Sequence, residues 1–152
     1  MPVSAVEIIT HSEAETEALG ERLAGEITAS ARAGVGTVIH LFGELGAGKT
    51  AFVRGLAAGL GHDPDEVSSP TFTLIQEYRD GRGAVPLFHV DLYRLAGGEV
   101  GDLELDAFAA EGIVAIEWAD RLPGPDPRAI VVRIEDAGED DRRITVERPA
   151  SA

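Results

Sequence analysis

Gly43-Glu44-Leu45-Gly46-Ala47-Gly48-Lys49-Thr50 satisfies the pattern G-x-x-x-x-G-K-[ST] in full. Glycines at Gly43, Gly46 and Gly48 let the backbone bend tightly with its N–H groups turned inward, the arrangement that cradles phosphate oxygens. Lys49 can then reach the outer phosphates of a nucleotide, and the Thr50 hydroxyl can ligate Mg²⁺. Lys49 is also the only lysine among 13 basic residues, the other twelve being arginine. In a chain that otherwise uses arginine throughout, a compact ammonium on a flexible stem at this one position argues against a chance match.

The pattern needs a strand before it and a helix after it, whose N-terminal dipole favours anions. Both are legible. Thr37-Val38-Ile39-His40-Leu41-Phe42 reads as a buried strand, and Ala51 to Leu60 carries Phe52, Val53, Leu56, Ala57 and Leu60 on one helical face, stopped by Gly61.

At 152 residues the chain is expected to form one domain with a sizeable core. No apolar run approaches the roughly 20 residues of a membrane span, and nothing resembles a signal peptide, so a cytoplasmic location is expected. The absence of cysteine excludes disulfide and thiol chemistry and fits a reducing compartment. His11, His40, His62 and His89 lack the short-range pairing of zinc sites. The net charge of −14 and pI near 4.5 work against unaided binding to a nucleic-acid backbone. If the protein serves RNA, another component must hold the RNA. The same acidity makes Lys49 and Mg²⁺ more necessary to a nucleoside triphosphate entering a negative field.

Outward from the loop, Val6 to Thr10 reads as a short strand, and Ser12-Glu13-Ala14-Glu15 as a capping box for a helix running to about Ala33. Leu19, Leu23, Ile27 and Ala31 recur every four residues and should face a sheet. Asp63 to Pro70 reads as a polar loop. Phe72 to Tyr78 alternates as a strand and forms a hairpin with Val85 to Val90 across Asp80-Gly81-Arg82-Gly83. A short helix is expected around Leu103 to Ala109, and an apolar strand at Ile113 to Ile116. The tail reads as an edge hairpin over about 129–148, Ala129 to Ile134 and Arg143 to Glu147, across an acidic turn at Glu135 to Asp141.

A phosphate-binding loop needs an acidic partner at the end of a neighbouring strand, to ligate Mg²⁺ or to hold its water shell and the attacking water. Asp91 follows Leu87-Phe88-His89-Val90, and Glu117 follows Ile113-Val114-Ala115-Ile116. Each apolar strand delivers a carboxylate to its C-terminal end, where ligands bind in open α/β sheets. Ser68-Ser69-Pro70-Thr71 reads either as a switch, with Thr71 sensing the γ-phosphate or the metal, or as a Ser/Pro turn entering a strand.

Taken in order, G-E-L-G-A-G-K-T, S-S-P-T-F-T-L, H-V-D-L-Y-R-L and I-E-W closely resemble the bacterial TsaE (YjeE) family, the ATPase component of tRNA threonylcarbamoyladenosine biosynthesis, from about Ile9 to Trp118. The resemblance implies an α/β fold: a single-domain P-loop NTPase with a mostly parallel core sheet, added antiparallel strands and flanking helices, binding ATP and Mg²⁺. It implies that Gly43 through Thr50, including Glu44, Leu45, Gly46, Ala47 and Gly48, hold the phosphates. It further implies that Thr50 and Glu117 ligate the metal, that Asp91 is a Walker-B-like acid near metal and water, that Thr71 is switch-like, and that the adenine sits near Thr10. Members of the family work with a TsaD–TsaB complex, which binds tRNA and performs the transfer to adenosine 37. This chain would therefore meet tRNA only indirectly, touch no membrane, and be a monomer when free. One departure is Ala51, where many relatives carry a second threonine; Thr50 is retained.

Two rival classes are weaker. A guanine reader of the N-K-x-D type is ruled out in its usual form, because the one lysine is already in the loop. A P-loop kinase acting on a small molecule would need a lid bringing cations to the transferred phosphate, and residues Gly97 to Gly112 contain neither Arg nor Lys.

Overall fold

The structure, a computed structural model, describes residues 4–29, 36–44, 48–67, 75–79, 85–92, 105–119, 122 and 128–149. In chain order the elements are β1 (Ser4–Thr10), α1 (Glu13–Thr28), β2 (Thr37–Phe42), α2 (Lys49–Gly59), a 3₁₀ turn (Pro64–Glu66), β3 (Ile75–Tyr78), β4 (Leu87–Asp91), α3 (Leu105–Glu111), β5 (Ile113–Glu117), β6 (Ile130–Gly138) and β7 (Asp141–Arg148). All seven strands join one sheet in the order β1-β7-β6-β2-β5-β4-β3. The four central strands, β6-β2-β5-β4, are mutually parallel, and the outer pairings β3–β4, β6–β7 and β7–β1 are antiparallel.

Period-two alternation sorts the strand residues onto two faces. Ile39, Leu41, Leu87, Ile113, Ala115, Val132 and Ile134 point to the face covered by α1 and α2, where Leu19, Leu23, Ile27, Phe52, Val53 and Leu56 join them. Val38, Phe88, Val90, Val114 and Ile116 point to the other face, with Ala109 of α3 and the ring of Phe108 stacked on Phe88. Glycine in a helix interior costs about 1 kcal/mol, and α2 contains both Gly55 and Gly59. Phe52, Val53 and Leu56 are fully buried and stabilise by about 1.5–3 kcal/mol each, so packing outweighs propensity.

Those glycines are what let the two helices touch. A Cβ on Gly55 would lie 1.9 Å from the Glu17 carbonyl oxygen, and one on Gly20 would lie 2.3 Å from the Phe52 carbonyl oxygen. Arg54 ties the same seam, bonding Glu13 at 3.0 Å and Glu17 at 2.9 Å. The cap of α1 is as expected on one side: Ser12 Oγ accepts the Glu15 N–H at 3.1 Å. On the other side the Glu15 carboxylate takes the N–H of His11 at 3.0 Å rather than that of Ser12.

Three expectations are corrected. Helix α1 ends at Thr28 rather than near Ala33; the Thr28 hydroxyl bonds back to the Ala24 and Gly25 carbonyls, satisfying acceptors of the last turn. Residues 30–35, with Ala31 and Ala33, lie outside the described residues. The acidic stretch Glu135 to Asp141 is mostly strand, with only Glu139 and Asp140 in the turn. Arg143 lies 3.8 Å from Glu135 and Arg142 lies 3.7 Å from Asp136, so cross-strand partners relieve the charge. Nor is this hairpin at the edge: β6 pairs with β2, and β1 covers β7. The β3–β4 pairing agrees with the expected first hairpin, whose turn at Asp80-Gly81-Arg82-Gly83 lies outside the described residues, as do Phe72 to Leu74.

Gly55→Ala should destabilise the fold by about 2 kcal/mol through overpacking. Gly25 is helical with open space where a Cβ would go, so Gly25→Ala should stabilise by up to about 1 kcal/mol. Urea denaturation of both variants checks the opposite signs.

Candidate functional site

Strand direction decides which side chains can meet. Since β7 runs against β6 and β1 against β7, β1 runs with the central parallel strands. The C-terminal ends of β1, β2, β4 and β5 therefore share one end of the sheet, bringing Thr10, Phe42–Gly43, Asp91 and Glu117 to it. Leu41, Glu117 and Asp91 stand in one row across β2, β5 and β4. Adjacent strands lie about 4.8 Å apart, so the two carboxylates are neighbours. Alternation aims both at the face that carries α2.

Helix α2 begins at this same end. Its N-cap, Gly48, has φ 109°, a left-handed conformation that favours glycine, and supplies no side-chain cap. No acidic residue lies in the first turn of α2, in a chain of net charge −14. At α1, by contrast, Ser12 caps the helix and Glu13 and Glu15 occupy the first turn. The first turn of α2 thus carries no acidic side chain of its own, which leaves its dipole suited to an anion.

Lys49 is 4% exposed; its ammonium bonds the Gly43 carbonyl at 2.6 Å and lies 3.8 Å from the centroid of the Trp118 ring. Trp118, directly after β5, has φ 60°, a backbone conformation costly for a bulky residue and of the kind that clusters at functional sites. Thr50 is half-buried in the first turn of α2, Gly43 is half-buried and Glu44 is exposed. Thr10 is buried, with its hydroxyl 2.8 Å from that of Thr16. Thr16 in turn packs under the loop end, its methyl 3.8 Å from where a Cβ on Gly48 would stand. Thr10 and the loop are therefore joined through α1.

Glu117 is 3% exposed, and its Oε2 bonds Nε2 of the fully buried His89. His89 Nδ1 is buried without a hydrogen-bond partner. Asp91 is 9% exposed. Among the described residues no three His, Asp or Glu side chains converge as a ready-made metal cluster. Leu45, Gly46, Ala47 and Thr71 lie outside the described residues, as do Tyr93 and Arg94. Trp118 is half-buried beneath Lys49 and packs against the apolar face that carries α3. The sequence reading does not include His89 among the site residues. The available signal was its place two residues before Asp91, hence on the same face of β4.

The profile of the family described as "Threonylcarbamoyl adenosine biosynthesis protein TsaE" matches residues 10–144. The chain belongs to the TsaE family. The tRNA threonylcarbamoyladenosine biosynthesis protein TsaE of Aquifex aeolicus is 41% identical over 143 residues, covering 93% of this chain and 96% of that one. The Nostoc protein of the same name is 52% identical over 93 residues, a match that takes in 58% of this chain and 56% of the Nostoc protein. The crystal structure of Bacillus subtilis YdiB superposes with a TM-score of 0.73 at 34% identity, covering 99% of this chain and 89% of that one. The TsaE match begins at Thr10 and takes in the loop, His89, Asp91 and Glu117.

Beside Thr10, His11 Nδ1 lies 2.9 Å from Asp141 Oδ1. The hydrogen bond and charge of Asp141 raise the imidazole above its ordinary value. A raised folded-state value means that this pair stabilises the fold below the unfolded pKa of histidine, and that the contribution is lost as pH rises through the folded value. Asp141→Asn should return the His11 titration, followed by NMR, toward that of a free histidine.

Proposed function

We propose that this chain is an Mg²⁺-dependent ATPase of the P-loop class that supports threonylcarbamoyl modification of adenosine 37 in tRNA. It acts in the cytoplasm through a TsaD–TsaB-type complex rather than performing the transfer. One observation carries the reading: the only lysine of the chain stands at the N-terminus of α2, whose N-cap glycine supplies no side-chain cap, at the sheet end that also receives Asp91 and Glu117. The helix dipole, the backbone N–H groups of the first turn of α2 and the ammonium favour a polyphosphate there, and two carboxylates beside them favour a divalent cation. The names borne by the relatives supply the tRNA pathway.

The residues fit Mg²⁺, which is commonly bound by one or two carboxylates together with substrate phosphates and water rather than by an all-protein cage. Thr50 and Glu117 would hold it, with Asp91 on its water shell; when bound it neutralises charge on the phosphates. Gly43 through Thr50 bind the polyphosphate, and Lys49 exchanges the Gly43 carbonyl for phosphate oxygens. Thr10, held by Thr16, lies at the adenine end. Asp91 and Glu117 orient a water for in-line attack on the γ-phosphorus. The new P–O bond forms as the bond to the β-γ bridging oxygen breaks, giving ADP and inorganic phosphate with no covalent enzyme intermediate. Thr71 is the switch that senses the γ-phosphate. The free protein is a monomer, and a partner completes the site.

Hydrolysis by the isolated protein should be slow, on the order of 10⁻⁴ to 10⁻² s⁻¹ as in unassisted P-loop switches, and stimulated by the TsaD–TsaB complex with tRNA. Lys49→Ala should abolish it while leaving the fold intact; normal hydrolysis by that variant would refute the phosphate-loop assignment. Phosphate passing to a small molecule, without stimulation, would indicate a kinase instead. Asp91→Asn and Glu117→Gln, titrated separately with nucleotide in the presence and absence of Mg²⁺, should divide the metal chemistry. The direct ligand is the one whose loss removes the Mg²⁺ dependence of binding.

A further inference from the structure

His89 is the one polar residue in the interior of β4, between Phe88 and Val90, and it is fully buried. Its neighbours on the sheet are Ala115, opposite it in register, and Gln76 of β3. Ala115 offers only a methyl group, and the imidazole reaches Glu117, two residues further along β5, with Nε2 on Oε2. A carboxylate accepts and does not donate, so Nε2 carries the proton. Nδ1 then faces the interior with no partner. A histidine kept only for packing has no reason to bring an unsatisfied nitrogen into the core, where leucine, isoleucine or valine fills comparable space without that cost. What the imidazole supplies that an aliphatic side chain cannot is a fixed donor to one oxygen of Glu117.

We propose that His89 is a positioning residue for Glu117: by holding Oε2 from within the core, it fixes the carboxylate so that Oε1 is kept for the divalent cation that accompanies the nucleotide. The inference rests on the nucleotide reading above. Partners behind a ligating carboxylate set its orientation, and losing one typically costs 10- to 100-fold in metal affinity. His89 itself touches neither metal nor nucleotide.

The test is calorimetric ADP affinity measured in EDTA and across a Mg²⁺ series, for wild type, His89→Leu and His89→Gln. Removing the donor with leucine should raise the Mg²⁺ concentration that supports tight binding by about 10- to 100-fold, with affinity in EDTA unchanged. Glutamine, whose amide N–H can take the place of Nε2–H, should recover most of the loss. An unchanged Mg²⁺ dependence in His89→Leu, equal losses with and without Mg²⁺, or no recovery in His89→Gln would each overturn the role of His89 alone. Failure of the wild-type protein to bind ADP under any condition would overturn the nucleotide reading, and this inference with it. A second measurement does not depend on the variants folding. Imidazole ¹⁵N shifts of the nucleotide-free wild-type protein should report His89 as the Nε2–H tautomer, and the Nδ1–H tautomer would overturn the proposal.

Discussion

Parallel pairing of β2 with β5, and of β5 with β4, is the constraint from which the site follows. Parallel neighbours deliver their C-terminal ends to the same side of the sheet. The loop that leaves β2 and the carboxylates that end β4 and β5 are therefore brought together by hydrogen-bond register. Burial protects this register. All five residues of β4 and all five of β5 are buried, so a one-residue slip would turn Asp91 and Glu117 onto the opposite face and break both apolar layers at once.

The second constraint lies in the helices. Gly20 and Gly55 bring the backbones of α1 and α2 closer than any side chain would allow, and that approach sets where α2 starts relative to β1. The N-terminal turns of the two helices are connected through small groups: Thr10 to Thr16, and Thr16 to Gly48. A seam that looks purely structural therefore fixes the distance between the end of β1 and the start of α2. In the proposed reading, those are the two ends of the bound nucleotide.

Much of this was legible in the sequence, and what was not has particular reasons. Thr37–Phe42 has the same bounds in both readings, because a short apolar run ended by glycine has few alternatives. The pairing of Asp91 with Glu117 was readable as two strand-end carboxylates, although their register was not. Periodicity carried α1 too far because it cannot see the Thr28 hydroxyl competing for the last carbonyls. The acidic stretch at Glu135 to Asp141 suggested a turn, since the arginines that pair with it stand on the other strand, and cross-strand partners are invisible until register is known. His89 was hidden for a similar reason. A histidine within an apolar strand looks like core until the strand beside it is found to end in glutamate.

Electrostatics explains why these parts belong together. At the sheet end a single ammonium, Lys49, stands with two carboxylates, Asp91 and Glu117, within a protein of net charge −14. A polyphosphate entering such a place meets repulsion that one lysine and a helix dipole, the latter equivalent to about half an elementary charge, do not offset. A divalent cation changes the balance, because the same two carboxylates that oppose the phosphate then attract its counter-ion. In the proposed reading, the nucleotide and the metal are thus each poor ligands alone and good ligands together. On that reading nucleotide affinity is tied to the geometry of the carboxylates, and the buried hydrogen bond behind Glu117 then has a consequence beyond packing.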